Sequence, residues 1–197
     1  MDYGIDVSHF QTISDPNAVH ANGISFAWCK ATEAADWADD TYAQKTGQLS
    51  GVGILVGGYH FARPGEAAAQ VDHFRAVAGD QLAARNLRPM LDMEDDAMRA
   101  TANDFVNAFY DRLAVPLVVY GNLDWWQSTT LNPAAWGERD ILGMIARYNG
   151  DPGNPGWTYP RLAVHQHSSE GQVPGIPGHV DRDATISDHT LAELTLT

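Results

Sequence analysis

Short runs of apolar, β-branched and aromatic residues recur along the whole chain: Tyr3 to Val7, Ile24 to Ala31, Ile54 to Phe61, Pro89 to Met93, Leu117 to Tyr120, Ile141 to Ala146, Leu162 to Gln166, and a shorter one around Val180. Their length and composition predict strands. Between the early runs lie helical patterns at Pro16 to Ala21, Asp40 to Leu49, Glu66 to Ala84 and Thr101 to Leu113, the last opened by Thr101 three residues before Asp104 in capping-box fashion. Strands alternating with helices imply parallel strands joined by right-handed crossovers, and eight of them close naturally into a barrel. The last third departs from the pattern. Its gaps before Leu162 and Val180 are rich in Gly and Pro and leave no room for a full crossover helix, and Gly150 to Gly156 and Gly171 to Gly178 read as ordered surface loops. The expected fold is α/β: an irregular, TIM-like barrel of about five βα units followed by three strands joined mainly by loops.

Composition narrows the picture. A chain of 197 residues with six Trp can bury one good-sized core, so residues 1–197 are expected to form a single domain. The longest apolar runs, such as Gly51 to Tyr59, are too short and Gly-rich to span a bilayer, and Met1-Asp2-Tyr3-Gly4 lacks a basic leader, so neither a membrane partner nor a classical export signal is expected. The formal charge of −13 excludes nucleic acid, because neutralising phosphates takes clustered Lys and Arg. The single cysteine, Cys29, lies between Trp28 and Lys30 and reads as a buried structural thiol rather than a nucleophile.

Candidate chemistry concentrates at Asp92-Met93-Glu94, which closes the Pro-opened run from Arg88 to Leu91. In a strand the two carboxylates share a face, with Cα atoms roughly 6.5 to 7 Å apart. Acids held side by side cannot both ionise freely, which is the division of labour that glycosidic cleavage requires. A solvated strand end would present the same three residues, so the other strand ends decide. In a parallel barrel, chemistry gathers at the C-terminal ends of the strands. There the sequence places Asp6; Lys30 with Thr32 and Glu33; Tyr59 with His60 and Arg63; Asp92 with Glu94; Tyr120; Arg147 with Tyr148; Gln166; and Asp181. Aromatic faces, carboxylates and amides suit sugars, whose rings are apolar on their faces and edged with hydroxyls. Trp125 and Trp126 are expected on the loop after the fifth strand. The tyrosines could equally be barrel-wall aromatics, and Lys30 could merely neutralise Asp6 or Glu33. Asp6 and Asp181 lie against apolar residues, where an unpaired charge costs several kcal/mol, and are harder to dismiss.

These residues resemble the glycoside hydrolase family 25 lysozymes. The likeness is carried in order by Gly4-Ile5-Asp6-Val7-Ser8-His9-Phe10-Gln11, Phe26-Ala27-Trp28-Cys29-Lys30-Ala31-Thr32-Glu33, Gly57-Gly58-Tyr59-His60-Phe61-Ala62-Arg63-Pro64, Leu91-Asp92-Met93-Glu94, and Val173-Pro174-Gly175-Ile176 with Val180-Asp181. The resemblance implies a flattened barrel and an N-acetylmuramidase acting on peptidoglycan. It also implies Glu94 as general acid, Asp92 as its paired carboxylate, and Asp6 and Asp181 as flanking acids. Tyr59, Tyr120, Tyr148 and Gln166 fall where family members line the groove, and Lys30, Glu33 and Arg63 join them as candidate substrate-binding residues from the strand-end reading. Two positions depart from the family pattern. His165-Gln166-His167 stands where members commonly read Trp-Gln-Tyr, and Asp181-Arg182-Asp183 where they read Asp-x-Asn, which leaves open which late aspartate faces the site.

The expected reaction is hydrolysis of the β-1,4 bond from N-acetylmuramic acid to N-acetylglucosamine. By analogy it follows a substrate-assisted retaining route, with Asp92 orienting the 2-acetamido group and the aspartates' negative field keeping Glu94 protonated. No cofactor or metal is expected, the partner is the peptidoglycan glycan strand, and the state is a monomer. The chain is expected to be either a phage endolysin held in the host cytoplasm until its release to the wall or a trimmed secreted lysozyme. Two other classes compete: a metal-dependent barrel hydrolase using His60, His165 and His167, and a non-catalytic glycan-binding module. Since side chains alternate, His165 and His167 should share one face and Gln166 the other.

Overall fold

A computed structural model describes every residue except 84. Its strands are β1 (Tyr3–Val7), β2 (Ile24–Glu33), β3 (Trp37–Ala38), β4 (Leu55–Phe61), β5 (Met90–Asp92), β6 (Leu117–Asn122), β7 (Ile141–Ala146), β8 (Leu162–Val173) and β9 (Ile176–Thr185). The helices are α1 (Pro16–Ala21), α2 (Tyr42–Ser50), α3 (Ala67–Ala78), α4 (Ala102–Leu113) and α5 (Leu123–Gln127). The sheet order is β1-β9-β8-β7-β6-β5-β4-β2-β3, and a further β1–β2 pairing closes eight strands into a barrel, leaving β3 as a short flap paired to the end of β2.

All neighbours from β1 through β2, β4, β5, β6 and β7 to β8 are parallel, as the strand–helix alternation requires. β9 departs from that expectation and runs antiparallel to both β8 and β1. The cause is the connection: Pro174-Gly175 is far too short for a crossover, so the chain can only turn back on itself. The stretch expected as a loop from Gly171 to Gly178 is accordingly the tip of a β8–β9 hairpin. Gly175 has φ +93°, and a Cβ there would lie 2.1 Å from the carbonyl oxygen of Asp15. The tip can therefore seat against the start of α1, where Ser14 N–H donates to the Gly175 carbonyl at 2.8 Å.

Two apolar layers result from strand alternation. Ile5, Val7, Leu91, Met93, Val119 and Ile145 point outward into a layer that also holds the buried stripes of α3 and α4, among them Val71, Phe74, Phe105, Val106, Phe109 and Leu113. Phe26, Trp28, Met90, Val118, Leu142, Met144 and Val164 fill the barrel interior together with Leu87 and Leu194. A bridge between Leu87 and Thr195, and a 2.7 Å bond from Arg88 N–H to the Leu194 carbonyl, seat the C-terminal segment against the chain entering β5.

Three local expectations change. Thr101 does not cap α4 through its side chain: its hydroxyl donates to the Met98 carbonyl, because a 3-10 turn over Asp96–Thr101 runs directly into the helix. The helix expected from Glu66 ends at Ala78 and tightens into a 3-10 turn over Gly79–Leu82, and Ala84 lies outside the described residues. Trp125 and Trp126 are not loop aromatics but fully buried parts of α5. Trp126 packs against Trp136, Trp157 and Tyr159, and its indole N–H donates to the Gly121 carbonyl at 3.0 Å.

Candidate active site

The strand register assembles the site. Lys30 pairs with Tyr59, Asp92 with Tyr120, Ala146 with Gln166, Gln166 with Asp183, and Asp6 with Asp181. Directly opposed residues share a face, so these side chains turn toward the barrel interior at one end. There they enclose a cavity of ≈ 250 Å³ whose walls include Asp6, Asp92, Glu94, Asp181, Tyr59 and Gln166. Tyr120, Tyr148 and Lys30 line it as well, and the loop after β1 contributes Ser8, Phe10 and Gln11.

Asp92 and Glu94 keep the alternation expected of them although β5 itself stops at Asp92. Met93 N–H still donates to the Tyr120 carbonyl at 3.0 Å, and the Met93 side chain is fully buried in the outer layer. Asp92 is buried, and its Oδ1 has no hydrogen-bond partner among the described residues. Glu94 stands one step further out, at the exposed rim of the same cavity.

Gln166 connects three elements. Its Oε1 accepts from Tyr120 Oη at 3.0 Å and Tyr148 Oη at 3.1 Å, and its Nε2 donates to Asp6 Oδ2 at 2.6 Å. The open question of the late aspartate is resolved by depth: Asp181 lines the cavity, whereas Asp183 is wholly buried beneath it, with neither carboxylate oxygen hydrogen-bonded among the described residues.

The acids raise one another's proton affinity. Burial, then Asp181, lifts Asp6 well above the usual carboxylate range against the opposing pull of the Gln166 amide. Burial, then Glu94, does the same to Asp92, and burial, then Asp6 and Asp181, to Asp183. Asp181 is pushed up to about 6 by burial and by Glu94. Glu94 is raised by crowding in the cleft, opposed by Lys30 and Arg63. Burial is thus the first cause at Glu94, and the repulsion between it and its deeper partners Asp92 and Asp181 is shared by the cluster as a whole.

Lys30, Glu33 and Arg63 form a network of their own beside the cavity. Lys30 Nζ lies 2.6 Å from Glu33 Oε2, Arg63 Nε donates to Glu33 Oε1 at 2.8 Å, and Arg63 also grips Asp95 at 2.9 Å. Both cations lie over the Phe61 ring. Lys30 lines the cavity, but Glu33 and Arg63 stand outside its wall and hold each other. Arg63 is missing from the wall because its guanidinium reaches back to two carboxylates.

The histidines are not in the site. His60 points outward, with Nδ1 2.7 Å from Thr32 Oγ1 and Nε2 2.8 Å from Gln70 Oε1. His165 places its ring nitrogens 3.1 and 2.9 Å from the Pro152 and Arg147 carbonyls. His165 and His167 share the face opposite Gln166, with ring centroids 6.1 Å apart. Cys29 is buried and its thiol is pushed up to about 12, which rules it out as a ready nucleophile. Strand-end reasoning passed over Ser8, Phe10 and Gln11, although the motif that carries them was visible.

Carboxylates crowded into the mouth of a β/α barrel are the equipment of a glycoside hydrolase. The chain belongs to the glycosyl hydrolases family 25, whose model matches residues 5–176. It is 32% identical to Lysozyme M1 of Streptomyces globisporus over 91% of this chain, and it spans 66% of that protein's length. It is 34% identical to an N,O-diacetylmuramidase of Arthroderma benhamiae over 79% of this chain and 73% of that one. The bacterial lysozyme from Streptomyces coelicolor has the same fold, with a TM-score of 0.80 and 29% identity over 98% of this chain and 94% of that one.

Proposed function

We propose that the protein is a peptidoglycan hydrolase that cuts the β-1,4 bond between N-acetylmuramic acid and N-acetylglucosamine, acting as a monomer on the bacterial wall. The observation that carries this reading is the pairing of a rim carboxyl, Glu94, with a buried carboxylate oxygen, Asp92 Oδ1, that has no donor among the described residues. A buried unpaired acceptor costs about 1–3 kcal/mol, so the site is built for a group that brings its own N–H or O–H. The names of the relatives supply the substrate class.

In this mechanism protonated Glu94 donates to the bridging oxygen as the anomeric C–O bond breaks. The carbonyl oxygen of the muramic acid 2-acetamido group attacks the anomeric carbon from the opposite face, while Asp92 Oδ1 accepts that group's N–H. The donated hydrogen bond and the positive charge forming at the anomeric carbon both favour ionised Asp92, overcoming the burial that raises its proton affinity. Glu94, now a carboxylate, then takes a proton from the water that opens the ring and restores the β-configuration. Gln166 fixes Asp6 and the two tyrosines around the sugar.

Mass spectrometry of soluble fragments tests the linkage. Digestion of purified peptidoglycan should leave N-acetylmuramic acid at every new reducing end, and reducing-end N-acetylglucosamine would overturn the reading.

A further inference from the structure

His165 stands behind the wall of the cavity rather than in it. Its ring is fully buried on the face of β8 opposite Gln166, and both of its nitrogens meet backbone carbonyl oxygens: Nε2 lies 2.9 Å from that of Arg147 and Nδ1 3.1 Å from that of Pro152. A carbonyl oxygen only accepts. A neutral imidazole has one N–H and one lone pair, so it satisfies one of these contacts and sets its lone pair against the other, whereas the imidazolium donates to both.

The two carbonyls bracket a single turn of chain, residues 147–152, and Tyr148 is the part of that turn that walls the cavity. Arg147 N–H donates to the Gln166 carbonyl at 3.0 Å and Gly150 N–H to the His167 carbonyl at 3.1 Å, which fastens the first half of the turn to β8. At Pro152, which has no N–H to give, the His165 ring supplies the tie. We propose, resting on the function above, that His165 is a positioning residue: as an imidazolium it clips both ends of the 147–152 turn to β8 and so holds Tyr148 at the substrate, and on losing a proton it releases one end.

The surroundings leave this ring to titrate apart from its neighbour. His167 shares its face, with ring centroids 6.1 Å apart, and is lowered to about 4 by burial and then by His165 itself. β7 and β9 set the apolar Ile145 and Ala184 opposite His165. The turn contributes Asp151, whose charge favours a cation on this face, and Arg147, whose guanidinium turns away to the Pro155 carbonyl at 2.8 Å. From β9, Arg182 opposes a second positive charge on the side of His167.

NMR on isotopically labelled wild-type protein reads the ring directly. At pH 5.5 both His165 nitrogens should carry protons, and as the ring loses one toward pH 8 the amide signals of residues 147–151 should shift along the same curve. A ring already neutral at pH 5.5, or amides that ignore its titration, overturns the proposal. Kinetics tests the consequence for the site. His165→Gln keeps an amide donor but cannot change charge, so its KM on glycan strands should exceed that of the wild type by about two- to tenfold at pH 5.5, the worth of one hydrogen bond, and approach it at pH 8. Taking the ratio cancels the titration of the cavity's own carboxyls. A ratio constant with pH is what a merely structural histidine would give, and it too overturns the proposal. Wild-type protein that cuts no glycan at any pH would instead sink the proposed function and leave the NMR result standing.

Discussion

Gln166 Nε2 donates to Asp6 Oδ2 at 2.6 Å, joining residues 160 positions apart in the chain. The same side chain accepts from both Tyr120 and Tyr148 through its other atom. One amide thus sets the position of an acid and two aromatic walls, because it carries its donor and its acceptor on two separate atoms.

Replacing Gln166 with Leu should leave a buried carboxylate oxygen and a buried tyrosine hydroxyl unpaired. Unmade buried hydrogen bonds cost about 1–3 kcal/mol each, and in a protein of this size each kcal/mol lowers Tm by about 2–4 °C. Thermal unfolding should therefore show a drop of several degrees together with a loss of activity. An unchanged Tm would show that the hub carries no load.

Asp183 predicts a stability difference that depends on pH. Its carboxyl is raised in the folded state, so below the ordinary unfolded value of about 3.9 both states are protonated and no difference arises. As pH climbs past that value the unfolded chain releases its proton while the folded chain keeps it, and stability falls. Asp183→Asn removes this penalty. Its Tm should match the wild type near pH 3 and exceed it at pH 7.5; a variant less stable at pH 7.5 would show that the ionised carboxylate is tolerated.

His60 titrates in the opposite sense. Burial lowers it to about 4 against the Gln70 bond, so between that pH and the unfolded value of about 6.5 only the unfolded chain gains the proton. NMR should find its ring neutral at pH 5.5. Since both its nitrogens are held by Thr32 and Gln70, exhaustive chelation should leave lysis unchanged, whereas loss of activity restored by a divalent metal would revive the metal-dependent reading.

Much of this was legible in the sequence because period-2 alternation survives folding. It placed Asp92 and Glu94 on one face and set Gln166 apart from His165 and His167. The antiparallel course of β9 was hidden because a strand's direction depends on its connection, and Pro174-Gly175 reads as a loop as readily as a hairpin tip. Trp125 and Trp126 misled because large aromatics after a strand suit a sugar groove and a core equally well. What buries Trp126, the rings of Trp136, Trp157 and Tyr159, comes from the segments after α5. The strand-end rule named Arg63 without its partners, and those partners turn it away from the cavity.

The most direct measurement is the rate of peptidoglycan hydrolysis by Glu94→Gln, with binding of a tetrasaccharide of alternating N-acetylglucosamine and N-acetylmuramic acid followed in parallel. General acid catalysis contributes about 10²- to 10⁴-fold, so the rate should fall by that order while binding persists. Hydrolysis at the wild-type rate would contradict the assignment of Glu94 as the proton donor.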